Sequence, residues 1–253
     1  MLTRVIIFLY GIISYIVFFC TFLYAIGFVS GFIVPRSLDS RPAGAPGIGL
    51  LIDLGLLALF AVQHSGMARR PFKRWLTRFI PEAAERATYV LAASLALIVL
   101  FAFWEPLGGV VWRVNNPTGR TVLYLLAALG WLTVLATTFI INHFDLFGLR
   151  QVWLQLIGRP YAHIGFRDPG PYRLVRHPLY LGFLFAFWCA PTMTAAHLLF
   201  ALMTTGYILG AIQLEERDLV QLLGDDYRLY RLRVPMLIPF THRTPRPPAA
   251  RTT

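Results

Sequence analysis

The chain has 253 residues, 57% of them hydrophobic and only 14% charged, where a soluble domain carries roughly 25% charged residues. Several apolar runs approach the length of about 20 residues that crosses a bilayer, so the composition excludes an ordinary soluble enzyme and predicts a polytopic membrane protein. The net charge of +11 does not mark a nucleic-acid binder, because the basic residues cluster in alternate loops, as the positive-inside pattern requires.

The first span is expected from about Val5 to Val34, ending at Pro35. It is too long for a signal-peptide core and lacks a small-residue cleavage pattern after it, so it reads as a retained span. A Pro- and Gly-containing loop leads to a second span, Ile48 to Met67, with Asp53 towards one end and His64 near the other. The following segment, "ARRPFKRWLTRFIPEAAER", is basic and amphipathic and is expected to lie in the headgroup layer. A third span covers Ala87 to Trp104, and "NNPTGR" turns the chain into a fourth, Thr121 to Ile141. With the basic loops and both termini placed in the cytoplasm, only Arg36, Arg41, Arg113 and Arg120 fall on the other side, which leaves 19 of the 23 Lys+Arg inside.

The longest polar stretch, Asn142 to Pro178, holds His143, Asp145, His163 and a scatter of arginines. After it, "LYLGFLFAFWCA" is too short to cross alone. Pro191 and Thr192 interrupt it, and "TAAHLLFALMTTGYILGAI" follows. A short helix, a break and a longer helix predict a hairpin that returns to the face it left, satisfying its backbone groups within the protein. That hairpin brings Glu215 and Glu216 close to Arg176, His177 and Pro178, with the 142–173 loop above them. The fold class is therefore all-α, a membrane helical bundle of five or six segments. It forms one domain over residues 1–240, with a Pro/Arg-rich tail, 241–253, expected to be disordered. Cys20 and Cys189 fall in apolar segments without metal-ligand spacing and read as buried core thiols. Asp53 and His197 read as structural.

Most of these pieces have ordinary readings. An arginine at the start of a membrane helix is usually a lipid anchor, and Pro178 in a first helical turn is capping grammar. The glutamate pair is less ordinary. At the C-terminal end of a helix the macrodipole disfavours acids, so Glu215 and Glu216 need cationic partners such as Arg176 and Arg217, or a cationic ligand.

"RHPLYLG", then "EE", then "GDDYRLYRLRVPMLIP" together resemble the C-terminal signature of the integral-membrane methyltransferases, which include isoprenylcysteine carboxyl methyltransferases and phospholipid methyltransferases. The matching residues are Arg176, His177, Pro178, Tyr180, Gly182, Glu215, Glu216, Tyr227, Tyr230, Val234 and Pro235. The resemblance implies an S-adenosylmethionine site. In it, Arg176 would meet the tail carboxylate, and Glu215 or Glu216 the ribose hydroxyls or the ammonium. Tyr172, Tyr180 and His177 would flank adenine or the sulfonium. Pro178 belongs to the same wall, Gly182 would permit close backbone approach, and His163 would cap the cofactor.

Upstream, "LFAVQHSGMARRPFKRWL", "PEAAERATYVLAASLALIVLF" and "NHFDLFGLRQVW" resemble the methanethiol S-methyltransferases, a likeness that runs from about Leu50 to Pro239. It implies methanethiol as acceptor and dimethyl sulfide as product, in a bacterial inner membrane with the donor site facing the cytoplasm. Membrane lipids are then the surroundings, and no protein or nucleic-acid partner is implied. Only a thiolate is a strong nucleophile, so a base is expected. The candidates are His143, paired with Asp145, and His64. Two other readings remain open at this point: a prenylated cysteine or lipid headgroup as acceptor, and a non-catalytic membrane protein associated with nitric oxide metabolism.

Overall fold

Among the described residues five helices are long and apolar enough to cross a membrane, and their packing sets the architecture. The structure is a computed structural model that describes residues 1–42, 45–162 and 170–241. The long helices are α1 (Leu2–Ser30), α2 (Pro46–Met67), α4 (Glu82–Phe103), α5 (Pro117–Ile141) and α9 (Ala195–Leu223). Shorter helices are α3 (Arg70–Leu76), α6 (His143–Leu146), α7 (Leu149–Leu156), α8 (Pro178–Trp188) and α10 (Asp225–Arg233). Two short strands, β1 (Val110–Arg113) and β2 (Thr192–Thr194), pair antiparallel.

Local residue chemistry fixes the helix ends. The first span stops at Ser30, short of the expected Val34, because Gly31 takes a left-handed conformation at φ 72°. Its N–H bonds back to the Gly27 carbonyl at 2.8 Å, the usual glycine C-cap. At the start of α5 the Asn116 side chain accepts from the Gly119 N–H at 2.9 Å, and Pro117 occupies the first turn. Trp75 and Phe79 in and after α3 remain exposed beside Arg70 and Arg74, as a headgroup-layer segment requires.

The hairpin forms as expected, and its tip reaches the far end of the bundle. At about 1.5 Å per residue α8 alone is far shorter than a bilayer core of about 30 Å. The extended link after it supplies the remaining reach and pairs as β2 with β1 from the α4–α5 loop. His197 locks this tip. Its Nδ1 lies 3.0 Å from Asp39 Oδ2 and its Nε2 3.0 Å from the Phe187 carbonyl, while Thr194 Oγ1 donates to Asp39 Oδ1 at 2.7 Å. Asp53, fully buried nearby, accepts from the Glu105 N–H at 2.8 Å and holds the turn after α4. Both residues therefore tie loops together.

Two of the expectations change. Gly182 serves helix packing. A Cβ there would meet the Gly130 carbonyl oxygen at 2.7 Å and Val134 at 3.0 Å, so α8 and α5 touch backbone to backbone and the face expected to receive a cofactor is filled. Gly182→Ala is accordingly expected to destabilise the protein by about 1–3 kcal/mol, the usual range for overpacking, read as a lower unfolding midpoint in detergent. Cys20 is exposed on α1 and Cys189 partly so, because both lie on the outward faces of their segments and are not core thiols. The tail beyond Thr241 and His163 lie outside the described residues.

Candidate active site

The Arg176–Pro178 segment is anchored by backbone before any side chain acts. The Arg176 N–H donates to the Pro235 carbonyl at 2.8 Å and the His177 N–H to that of Met236 at 3.2 Å. The segment after α10 thus straps the start of α8, which explains why "VPM" accompanies "RHP" so far away in the chain. Tyr230 adds a third tie, donating its hydroxyl to the Tyr172 carbonyl at 2.6 Å.

Inside this strap Glu216 is the hub. Its side chain is 3% exposed; Oε1 accepts from Arg176 Nε at 2.7 Å and lies 3.0 Å from His177 Nε2, and Oε2 sits 3.0 Å from Arg231 Nε. Arg176 Nη1 donates to the carbonyls of Arg231 at 3.1 Å and Val234 at 2.6 Å. The expected glutamate-to-arginine proximity is present, yet these groups are turned on one another. Both Glu216 oxygens are spent within the protein, as are Arg176 Nε and Nη1. α9 runs on to Leu223, about two turns past Glu216, so the glutamates do not sit at a helix end as expected. The buried charge of Glu216 is held by the Arg176 and Arg231 guanidinium groups. Arg231 had not been singled out in the sequence; one position after Tyr230 on α10, it faces Glu216 only because α10 turns back on α9.

Glu215 is the more exposed of the two glutamates. Its side chain is 45% exposed, and it accepts from the Tyr180 hydroxyl at 3.0 Å, with His177 Nδ1 4.0 Å away. Tyr172 lies within its field: burial first, and then the Glu215 charge, push the Tyr172 phenol above its ordinary range and keep it a hydrogen-bond donor. Beside it an open cleft of about 420 Å³ is lined by Arg173, Tyr230, Arg233 and Val234, within the size range of small-ligand sites. Pro178 is buried in the first turn of α8 and sets the direction of that helix.

The three base candidates part company. His143 is 3% exposed, and both ring nitrogens are occupied: Tyr15 Oη lies 2.7 Å from Nε2 and Thr138 Oγ1 2.8 Å from Nδ1. Because Thr138 donates its hydrogen to the Leu135 carbonyl at 2.7 Å, it accepts from Nδ1–H, and Tyr15 donates to Nε2. Burial lowers the His143 pKa and keeps the ring neutral. The expected His143–Asp145 pair does not form. Asp145 points instead to Arg150 at 2.8 Å and the Tyr161 hydroxyl at 3.2 Å, because Asn142 caps α6 and turns the two side chains apart. The first part of the 142–173 stretch is accordingly not an open loop: α6 packs against α5, and α7 against α1 and α4.

His64 is placed differently. Tyr89 Oη of α4 lies 2.9 Å from its Nε2 and 3.1 Å from its Nδ1, and one hydroxyl proton satisfies only one nitrogen. Arg86 lies 5.0 Å over the Tyr89 ring and donates to the Leu146 carbonyl at 2.7 Å, which links this cluster to α6. Next to His64, Ser65 Oγ meets Tyr207 Oη of α9 at 3.0 Å. The hydrogen bonds thus form two groups, one joining His64 and Ser65 of α2 to Tyr89 of α4 and Tyr207 of α9, the other joining Tyr180 of α8 to Glu215.

Comparison with known proteins gives a consistent set. The chain is 56% identical over 235 residues to the methanethiol S-methyltransferase of Mycobacterium tuberculosis, covering 93% of this chain and 96% of that one. It is 52% identical over 239 residues to that of Crocosphaera subtropica, covering 94% of each. A more distant likeness, 33% over 181 residues and 68% of each chain, is to nurim of Bos taurus. No family model matches the chain, and neither does any solved structure.

Proposed function

Because the chain belongs to the family of the methanethiol S-methyltransferases, we propose that it methylates methanethiol to dimethyl sulfide, with S-adenosylmethionine as methyl donor. When bound, the donor supplies a methyl group on a sulfonium sulfur that leaves as a neutral thioether. Every other requirement falls on the chain's own residues.

Glu215, exposed and hydrogen-bonded to Tyr180, suits the donor's ammonium or ribose hydroxyls, and the Tyr172 and Tyr180 rings suit adenine or the sulfonium. His177 flanks the same wall and fixes the two glutamates, while Arg176, Pro178, Glu216 and Gly182 hold its shape. His64 takes the thiol proton as the new carbon–sulfur bond forms, so that the acceptor reacts as a thiolate. The observation that carries the choice of His64 is that one Tyr89 hydroxyl faces both of its ring nitrogens, whereas both nitrogens of His143 are occupied and Asp145 is paired with Arg150. The surrounding helices keep the site dry and give a small apolar thiol a route through lipid. The basic loops around the donor site support a cytoplasmic orientation for it, in a bacterial inner membrane.

Purified protein in detergent, given S-adenosylmethionine and methanethiol, should release dimethyl sulfide into the headspace. Donor binding without that product would transfer the reading to a prenylcysteine or lipid acceptor on the same scaffold.

A further inference from the structure

His64 does not stand alone; it is one wall of an aromatic box. Phe60, one helical turn away on α2, stacks on the His64 ring at 5.1 Å between centroids. Tyr89 of α4 closes a second side at 5.1 Å from His64. Tyr207 of α9 stands 6.5 Å from His64 and 6.2 Å from Phe60, edge-on to both. Three helices therefore direct four rings to one place, with the His64 nitrogens, two phenols and the Ser65 hydroxyl at its edges. Ring faces suit a soft, polarizable sulfur, which prefers to sit about 5 Å from an aromatic ring. The rings stand in mutual contact, 5.1–6.5 Å between centroids, so an acceptor enters only by parting them and each added methylene parts them further.

Of these walls Tyr207 is the one positioned to measure the acceptor. Its hydroxyl is held by Ser65 at 3.0 Å, so the ring cannot swing aside without breaking that bond. It borders both His64 and Phe60, the two rings that α2 contributes. Tyr89, by contrast, touches His64 itself and acts through it.

Resting on the proposed thiol methylation, we infer that Tyr207, pinned by Ser65, is the specificity-determining residue that confines the acceptor to the smallest thiols. A packing role for the box predicts a general loss when Tyr207 is shortened. A sizing role predicts a change of preference.

The test is competition among methanethiol, ethanethiol and 1-propanethiol in one vial, with the methyl thioethers measured in the headspace. Donor affinity is measured alongside by calorimetry, and stability by the unfolding midpoint. Tyr207→Ala should raise the propanethiol-to-methanethiol ratio of kcat/KM by at least about tenfold, the discrimination that a methylene or two provides in a hydrophobic pocket. Donor affinity should stay at the wild-type value. Tyr207→Leu, which retains more bulk and protects the fold, should shift the ratio in the same direction by less, and Tyr207→Phe, which keeps the ring but loses the Ser65 bond that pins it, should shift it least. An unchanged ratio in folded Tyr207→Ala and Tyr207→Leu, with the wild type methylating methanethiol, overturns this inference alone. A wild type that binds donor and methylates no thiol overturns the underlying reading, and this inference with it.

Discussion

Glu216→Ala is expected to yield little folded protein, whereas Glu215→Gln should yield folded protein that no longer binds S-adenosylmethionine. The neighbouring glutamates have opposite surroundings. Glu216 is 3% exposed at its side chain and engages Arg176, His177 and Arg231. Removing it leaves the buried Arg176 guanidinium without a counter-charge, a change that typically destabilises by about 3–5 kcal/mol. Against a total stability of about 5–15 kcal/mol, that is enough to release the strap of residues 234–236 from the start of α8. Glu215 makes one hydrogen bond to Tyr180 and is otherwise open to solvent, so its amide keeps the shape and loses the charge. Size-exclusion profiles and unfolding midpoints in detergent report the first effect, and calorimetric titration of the donor reports the second. A Glu216→Ala protein with a wild-type midpoint and no donor binding would return Glu216, and Arg176 with it, to direct donor contact.

The contrast marks where the sequence is legible. The spans could be read because length and apolarity alone decide them. The hairpin followed from a helix too short to cross and a proline after it. That the "RHP" and "EE" motifs meet was a consequence of that topology. Which glutamate faces outward was not visible: adjacent helical residues differ by about 100° in direction, and only packing says which side is buried. Gly182 shows the same limit. A glycine signals close backbone approach, but the partner, here Gly130 of α5, lies in another helix. His143 beside Asp145 looked like a pair in sequence, whereas residues one or two apart on a helix do not face each other. Tyr89, Tyr207 and Ser65 carried no local mark, because a tyrosine in an apolar span reads as filler until three helices bring several together.

His64→Ala should lower kcat for methanethiol by about 10²–10⁴-fold, the usual contribution of a positioned base, with donor affinity unchanged. The deficit should depend on pH in a definite direction. A cysteine thiol ionises near pH 8.5 and a simple alkyl thiol, without cysteine's electron-withdrawing neighbours, higher still, so at about pH 7 almost no acceptor molecules are thiolates without help. Below that value the thiolate fraction grows about tenfold per pH unit, so the His64→Ala rate should climb between about pH 7 and 9 and narrow the gap to the wild type. His143→Ala should behave otherwise. It strips the partner from the half-buried Tyr15 hydroxyl, an unsatisfied group costing about 1–3 kcal/mol at most, while Thr138 keeps its bond to the Leu135 carbonyl, so the protein should melt earlier. The folded fraction should turn over with the wild-type pH profile. Rates and midpoints measured on both variants between about pH 7 and 9 separate the two roles. If His143→Ala shows the large, pH-rescued loss of turnover at an unchanged midpoint, the base belongs at the α5–α6 junction. In that case the acceptor is at the Tyr15 face, and the aromatic box around His64 is packing.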